Sequence, residues 1–314
     1  MVTPHVPPSD SRAIADVAEA RLPDLLESYR SLVRARALEA RWGELEQKGA
    51  VMPRRAAAGE EAAMAGAGFA LGSEDWVLGE GTEVVLALSR GATLSEFVAN
   101  AFGRGPNPWN VRERRTLASD LRNGAHVTQG VGVAWGAKIE RRPAVVLVTF
   151  GEELTATGEF HNGVNFAGVF KAPAIFLTVT RARTSSGDPE NGERPADWGS
   201  AYGISSQVCD GADFFAVAQT VGEARRHALA GLGPTLIEAR LASGQGAGDA
   251  VMALRRHLEP RGLFDAEHEA RVESAASAEL DRALTKFGAV AIASYAASLA
   301  PESRIVVPTG RRPG

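Results

Sequence analysis

Apolar positions along the chain follow two spacings, one typical of helices and one typical of buried strands. From Leu22 to Gln47 apolar side chains recur on one helical face, which predicts a long amphipathic helix. Largely apolar runs at residues 144–150, 174–179 and 233–239 have the length and branching of strands buried on both sides. The chain is therefore predicted to contain both helices and a buried sheet.

Residues 145–183 hold the clearest strand–helix–strand unit. The run Ala144–Phe150 ends at Gly151, and the run Ala174–Val179 follows Pro173. Two buried strands joined by a helix form a right-handed parallel unit. In such sheets ligands bind beyond the carboxyl ends of the strands. The residues that directly follow these two strands are therefore candidates for a site.

The helix between the two strands has its own start signal. Phe160, Val164 and Ala167 share one face of it. Either Thr155 or Thr157 is placed to cap its first turn with a hydroxyl group. The sequence therefore predicts a helix between the two strands, which supports the α/β interpretation of this unit.

Composition narrows the class of protein. The chain has 314 residues, 45% hydrophobic and 23% charged, which is typical of a globular protein with one large domain or two. A net charge of −4 argues against a general nucleic-acid binder. No apolar run approaches the length of about 18–20 residues that a membrane span needs, and the first residues lack a secretory signal pattern. A cytoplasmic protein that contacts neither nucleic acid nor membrane is predicted.

The residues present argue against several common frameworks and sites. The single Cys209 excludes an intrachain disulfide framework and a cysteine-rich metal site. The sequence has no Gly-x-Ser-x-Gly, and its six histidines are scattered, so a serine hydrolase is not indicated. No clustered ligands indicate a zinc enzyme either.

Several short segments, taken in order, resemble one known family. The segments are Gly151-Glu152, Gly158-Glu159-Phe160-His161, Asn165-Phe166-Ala167, Pro173, Ala201-Tyr202-Gly203-Ile204 and Gly233-Pro234-Thr235-Leu236-Ile237-Glu238-Ala239. They resemble the alpha subunit of branched-chain 2-oxo acid dehydrogenase, the thiamine-diphosphate-dependent decarboxylase component. The resemblance covers about residues 22–285 and implies the thiamine-diphosphate-binding fold, an α/β fold with a mostly parallel sheet and helices on both faces.

The resemblance also implies a domain organisation. Residues 1–21 are predicted to be a flexible N-terminal arm, residues 22–290 the α/β domain, and residues 291–314 a C-terminal segment and tail. A charged C-terminal helix is predicted to end at about Leu284. Glu61, in a helix of small residues, is interpreted either as a residue that faces a neighbouring subunit or as a helix cap.

The resemblance further implies thiamine diphosphate and magnesium as cofactors. Gly151, Glu152 and Gly124 match cofactor-binding positions, with Gly124 at the start of a glycine-rich helix that lies under the cofactor. Glu152 also matches a magnesium ligand. All three are interpreted as vestigial, because neighbouring residues depart from the family pattern.

The sequence departs from the family pattern at four separated places. Glu153 replaces a glycine, Thr180-Arg181 replaces Asn-Asn, and Gly81-Thr82 replaces a Tyr-Arg pair that holds the diphosphate. Glu80 and Glu83 flank that last position with negative charge. The loop that supplies an active-site histidine is shortened after Arg240, and His257 falls on the following helix instead.

Cofactor binding is therefore predicted to be weak or absent. Arg181 is expected either to pair with Glu152 or Glu153 across the strand ends, or to point into solvent. Cys209 is predicted to lie on a buried strand, and no catalytic residue is assigned.

Two functions follow from these departures. The first is a catalytically degenerate alpha-like subunit that assembles with a beta-type subunit, as a heterotetramer, or with itself. The alternative is an active branched-chain decarboxylase alpha subunit with atypical ligands.

Overall fold

The computed structural model of the chain describes residues 22–48, 51, 59–81, 83–102, 107–118, 124–181, 194–241, 249–262 and 264–298, with side chains as far as residue 287. Its strands are β1 (Trp76–Gly79), β2 (Thr116–Ala118), β3 (Val146–Gly151), β4 (Ala174–Arg181), β5 (Ser205–Asp210) and β6 (Thr235–Leu241). Every pairing among them is parallel, in the order β2-β1-β3-β4-β6-β5. The predicted parallel sheet is confirmed.

The helices of the described residues alternate with these strands. They are α1 (Leu22–Gln47), α2 (Glu61–Ala70), α3 (Val84–Ser89), α4 (Leu94–Ala101), α5 (Val111–Arg114), α6 (Ala125–Ile139), α7 (Gly158–Phe170), α8 (Trp198–Ala201), α9 (Phe214–Leu229), α10 (Ala250–Leu258) and α11 (Ala266–Ser298). Short 3₁₀ turns lie at Glu152–Ala156, Pro195–Asp197 and Glu259–Arg261. α1 has the predicted bounds, whereas α11 continues past the predicted end at Leu284 and runs through position 290.

Each face of the sheet has its own apolar core, because successive side chains of a strand point to opposite sides. On β4, Ile175 and Leu177 pack with α1, α2 and α9, while Ala174 and Phe176 pack with α6 and α7. All four side chains are fully buried. The predicted helices on both faces are therefore confirmed.

β2 is an element that the apolar pattern did not predict. Its three residues lie in a charged stretch that reads as a solvated loop, and three residues are too few to show a period. Thr116 nevertheless pairs with Val77 of β1 and is fully buried. The pairing extends the sheet by one strand on the side of β1.

A buried carboxylate organises the edge of the sheet at which the strands begin. Asp75 accepts hydrogen bonds from the backbone N–H of Gly72 at 2.7 Å and of Val145 at 3.0 Å, and from Arg225 Nε at 2.6 Å. Arg90 donates to the carbonyl oxygens of Gly72 at 2.8 Å and Asp75 at 2.6 Å. Asp75 is fully buried. Its carboxylate thus joins the start of β3, the turn before β1 and helix α9.

Two helices on one face of the sheet meet at a glycine. A Cβ on Gly66 of α2 would overlap the carbonyl oxygen of Phe214 and stand 3.1 Å from the backbone nitrogen of Ala218, both on α9. Backbone therefore lies where a side chain would be.

No helix of the described residues has the length and apolar character that crossing a bilayer requires.

Candidate functional site

The carboxyl ends of the central strands converge at one edge of the sheet. β3 and β4 pair in register as far as Gly151, opposite Val179, so Glu152 and Glu153 follow directly beside Thr180 and Arg181. The chain then turns through the 3₁₀ segment Glu152–Ala156 into α7. The structure therefore places the acidic and basic residues of the predicted site next to each other.

Glu153 folds back onto the strand that precedes it. Its carboxylate occupies the space beside the Cα of Gly151, where an added Cβ would overlap it. Glu152, one residue earlier, is exposed. The side of Gly151 on which a Cβ would lie is covered by the chain's own carboxylate.

Gly124 lies at the same edge, at the start of α6. Its φ of +78° is in the left-handed region that favours glycine. A Cβ there would stand 3.3 Å from Thr157 Oγ1 and 3.3 Å from the Cβ of Glu159, so α6 and α7 begin side by side. The structure thus brings Gly124, Gly151 and Glu152 to one edge of the sheet, while their role in binding a cofactor stays a prediction.

The cap of α7 is Thr157 rather than Thr155. Thr157 Oγ1 accepts from the N–H of Phe160 at 3.3 Å, whereas the hydroxyl of Thr155 donates to the carbonyl oxygen of Glu152 at 2.7 Å. The first alternative for this cap is therefore wrong and the second is confirmed. The cap fixes the direction in which α7 leaves the site.

Arg181 pairs with a residue that sequence reasoning did not consider. Its Nη2 lies 3.4 Å from Oε1 of Glu60, in the turn that precedes α2, and Gly59 of the same turn lies beside the guanidinium. Among the described residues, this is the ion pair that forms in place of the predicted one with Glu152 or Glu153. The physical reason is that Glu153 turns toward Gly151 while the Glu60 turn lies over the end of β4.

Glu83 points into the fold and not toward the site. Its carboxylate is buried and accepts from the N–H of Glu80 at 3.2 Å, from the N–H of Gly81 at 3.0 Å and from the hydroxyl of Thr149 at 2.7 Å. Glu83 therefore lies beside Gly81, as the sequence predicts, but its carboxylate is turned into the fold. Its charge is used to close the turn after β1.

His126 is a buried polar residue at this edge that the sequence did not single out. Its Nε2 lies 3.0 Å from the carbonyl oxygen of Thr149, and the side chain is fully buried. Burial lowers the pKa of His126, although the bond to Thr149 and the nearby Glu83 charge act in the opposite direction. We infer that the His126 ring is neutral and that its Nε2–H donates to the carbonyl oxygen of Thr149. A single histidine in a helix gives no sequence signal for such a bond.

Three other predicted residues have structural roles. Glu61 accepts from the N–H of Gly59, in the turn before α2, at 2.9 Å, and α2 has no side-chain cap hydrogen bond, so the helix-cap alternative is not confirmed. Cys209 lies on β5 and is 4% exposed, and burial raises its pKa to about 12, so the thiol stays protonated. His257 lies on α10, as predicted from the shortened loop.

Glu238 of β6 docks the 3₁₀ turn at Pro195–Asp197 onto the sheet. It accepts from Arg240 Nε at 2.9 Å, from Thr180 Oγ1 at 3.0 Å and from the N–H of Ala196 at 3.4 Å. Burial alone would raise the pKa of Glu238, but the hydrogen bond and charge of Arg240 outweigh it and lower the pKa. The ionised carboxylate is therefore the form that the fold stabilises.

We expect this carboxylate to make stability depend on pH. A lowered folded-state pKa contributes stability above the unfolded glutamate value of about 4.3 and loses it as pH falls through the folded value. Glu238→Gln should cost about 1–3 kcal/mol at pH 7, and the difference from wild type should shrink below about pH 4. Urea unfolding at pH 7, 5, 4 and 3 measures it. Glu267→Gln, in an exposed pair with Arg271, is the control; a difference constant across this range would contradict the assignment.

The donor set at this edge fits a magnesium-bound diphosphate poorly. Magnesium takes near-octahedral oxygen ligands, and a guanidinium such as that of Arg181 has only donors to offer. The carboxylate of Glu153 covers Gly151, where a diphosphate would need bare backbone. Within the described residues no group of three or more His, Cys, Asp or Glu side chains is arranged to hold a metal ion.

The parallel sheet with helices on both faces, and a candidate site at the carboxyl ends of its strands, define an α/β protein. Residues 29–241 match the family described as the dehydrogenase E1 component, and the chain belongs to this family. The "Pyruvate dehydrogenase E1 component subunit alpha" of Bacillus subtilis is 33% identical over 301 residues, which cover 86% of this chain and 81% of the relative. The "2-oxoisovalerate dehydrogenase subunit alpha" of the same organism is 30% identical over 229 residues, 68% of this chain and 69% of the relative.

Among solved structures, one described as a thiamin diphosphate-dependent enzyme from Mycobacterium smegmatis covers 58% of this chain and 31% of its own, with a TM-score of 0.37 and 13% identity. That likeness is too low to bear on function. The family match and the two relatives make the chain alpha-subunit-like within the 2-oxo acid dehydrogenase E1 components.

Proposed function

We propose that this chain is a non-catalytic alpha-type subunit of a 2-oxo acid dehydrogenase, which assembles with a beta-type subunit and does not itself bind thiamine diphosphate. One observation carries the proposal. At the carboxyl ends of β3 and β4, Glu153 covers Gly151 and the Arg181 guanidinium pairs with Glu60. Both groups are at positions where the family resemblance implies a magnesium ion and a diphosphate.

Charge explains why these groups oppose the cofactor. A guanidinium repels a divalent cation and supplies no lone pair to it. A carboxylate about 4 Å from a phosphate charge costs on the order of 4 kcal/mol at an effective dielectric of 20, which is roughly a thousandfold in affinity. The guanidinium therefore opposes binding of the magnesium ion, and the carboxylate opposes binding of the diphosphate.

The second candidate is an active alpha subunit with atypical ligands. Its support is Glu152, which is exposed at the end of β3 and offers one carboxylate to a metal ion. The relatives include both types, and the pyruvate dehydrogenase subunit of Bacillus subtilis is the more similar of the two described, at 33% identity against 30%. The branched-chain substrate and the cytoplasmic location stay predictions.

Calorimetric titration with thiamine diphosphate and magnesium tests the proposal. We expect the chain to bind no cofactor at micromolar concentrations, alone or co-expressed with a beta-type subunit, and the complex to leave a 2-oxo acid unreacted with a dye acceptor. Micromolar binding, or decarboxylation that depends on this chain, would contradict the proposal.

A matched set of variants asks whether the two named residues are the cause. Glu153→Gly with Arg181→Asn should raise cofactor affinity at least tenfold, because it removes the carboxylate from Gly151 and the cation from the end of β4. Adding Glu152→Ala should abolish that gain if Glu152 ligates magnesium. A double variant that binds no better than wild type would show that the obstacle lies elsewhere.

A further inference from the structure

The turn that precedes α2 contacts the guanidinium of Arg181 through two of its residues. Glu60 Oε1 lies 3.4 Å from Nη2 of Arg181. Gly59 has a φ of +84°, in the left-handed region that favours glycine, and a Cβ there would stand 3.4 Å from Nη1 of the same guanidinium. The position of this turn therefore decides where the positive charge at the end of β4 lies.

Glu61, the first residue of α2, fixes the turn in this position. Its Oε2 accepts from the N–H of Gly59 at 2.9 Å, so the turn closes on the carboxylate that follows it. Oε1 of the same carboxylate lies 4.0 Å from Nε of Arg36, which belongs to α1. The two oxygens of one partly buried carboxylate thus join the turn to α1.

Arg36 extends this connection to a third helix. Its Nη1 lies 2.8 Å from Oδ1 of Asp249. That oxygen also accepts from the N–H groups of Val251 at 2.9 Å and Met252 at 3.2 Å, because Asp249 is the N-cap of α10. The first turn of α10 therefore holds the carboxylate in place. The Arg36 guanidinium lies between two carboxylates that belong to different parts of the chain.

These contacts form one network of alternating charges, which we call the Arg36 network. Its members are Asp249, Arg36, Glu61, Glu60 and Arg181. A single exposed ion pair contributes little to stability, because water screens it and its long side chains lose freedom, whereas charges that share partners act together. Removing the cation at the centre of the network leaves two carboxylates that repel each other. The effect should reach the turn before α2, although Arg36 lies on another helix.

We propose that Arg36 is a positioning residue, which acts through Glu61 to hold the turn before α2 against Arg181. The positive charge is thereby kept at the carboxyl end of β4. The inference rests on the proposed function, since this charge is one of the two that oppose the cofactor. It adds that the obstruction is held in place by α1 and α10, and is not a property of Arg181 alone.

Hydrogen exchange of the full chain, measured by mass spectrometry, tests the inference. Arg36→Met keeps most of the length of the side chain and removes its charge. We expect the peptide that covers residues 59–64 to exchange about fivefold faster in this variant, because local opening of the turn becomes easier. Arg30→Met removes an exposed arginine of the same helix, which pairs with Glu27 at 3.5 Å, and is the matched control. Unchanged exchange in Arg36→Met, or equal acceleration in Arg30→Met, overturns the proposal.

Salt and a second variant separate charge from packing. The difference between Arg36→Met and wild type should fall below about twofold in 1 M sodium chloride, where the Debye length is about 3 Å. A loss of packing would persist at high salt, and a difference that persists overturns the role of charge. Asp249→Asn keeps an N-cap acceptor for α10 and removes the outer charge, so it should accelerate exchange of the same peptide. Exchange as slow as in wild type would exclude Asp249 from the network.

The exchange experiments contain no cofactor, so their outcome is separate from that of the cofactor titration. Accelerated exchange in Arg36→Met, together with micromolar binding of thiamine diphosphate by the wild-type chain, contradicts the proposed function alone. Unchanged exchange, together with no binding, contradicts the positioning role of Arg36 alone.

Discussion

Asp75→Ala is expected to lower the free energy of unfolding by about 3–5 kcal/mol, the usual cost of removing one partner from a buried ion pair. The carboxylate is fully buried, and Arg225 Nε lies 2.6 Å from it. The substitution also removes the acceptor for the N–H groups of Gly72 and Val145. Urea unfolding of the two proteins at pH 7 measures the difference.

Two further variants make this prediction specific. Asp281→Ala removes an exposed carboxylate that pairs with Arg41 at 3.3 Å, and a surface pair of this kind contributes about 0–1 kcal/mol. Asp75→Asn keeps the shape and one acceptor oxygen, so its cost should fall between the two. Equal stabilities for Asp75→Ala and Asp281→Ala would show that the buried carboxylate does not hold this edge of the sheet.

Gly66→Ala is expected to destabilise the fold by about 2–3 kcal/mol, at the upper end of the usual range for overpacking. The added Cβ overlaps the carbonyl oxygen of Phe214, and backbone cannot move aside as the end of a flexible side chain can. α2 and α9 must therefore separate, which opens the core that they share. The midpoint of urea unfolding reports the change.

Gly43→Ala is the matched comparison. Gly43 lies within α1, and a Cβ there meets nothing within 4 Å. The same substitution should therefore stabilise the protein by about 0.5–1 kcal/mol through helix propensity. If both alanine variants change stability in the same direction, then helix propensity and not the contact with α9 dominates at Gly66.

The sequence predicts the helices and strands whose signals lie within the element itself, such as an apolar period or a capping residue. The apolar period of α1 extends over its whole length, so its bounds could be predicted. The unit β3–α7–β4 was predicted because each strand is a continuous apolar run and Thr157 supplies a cap. The predicted end of α11 lies too early in the chain. The residues after Leu284 become more apolar, which ends the charged pattern, but the sequence gives no stop signal that marks where the helix ends.

Side-chain pairing at the site depends on distant parts of the chain, and sequence patterns do not contain that information. Arg181 and Glu60 are 121 residues apart, and they meet because the turn before α2 lies over the end of β4. The sequence places Glu83 beside Gly81-Thr82, but spacing alone does not show that its carboxylate turns into the fold. Its hydroxyl partner, Thr149, lies on a neighbouring strand. Strand neighbours could be predicted, whereas the direction of each carboxylate could not.

The shortness of β2 affects how the sheet meets other chains. A strand at the border of a sheet has unpaired N–H and C=O groups, to which a foreign strand can add and start aggregation. Within the described part of the chain, β2 presents three residues at that border, and one of them, Thr116, is fully buried. So short a template holds an added strand weakly, and this border of the sheet resists the edge-to-edge growth that leads to fibres.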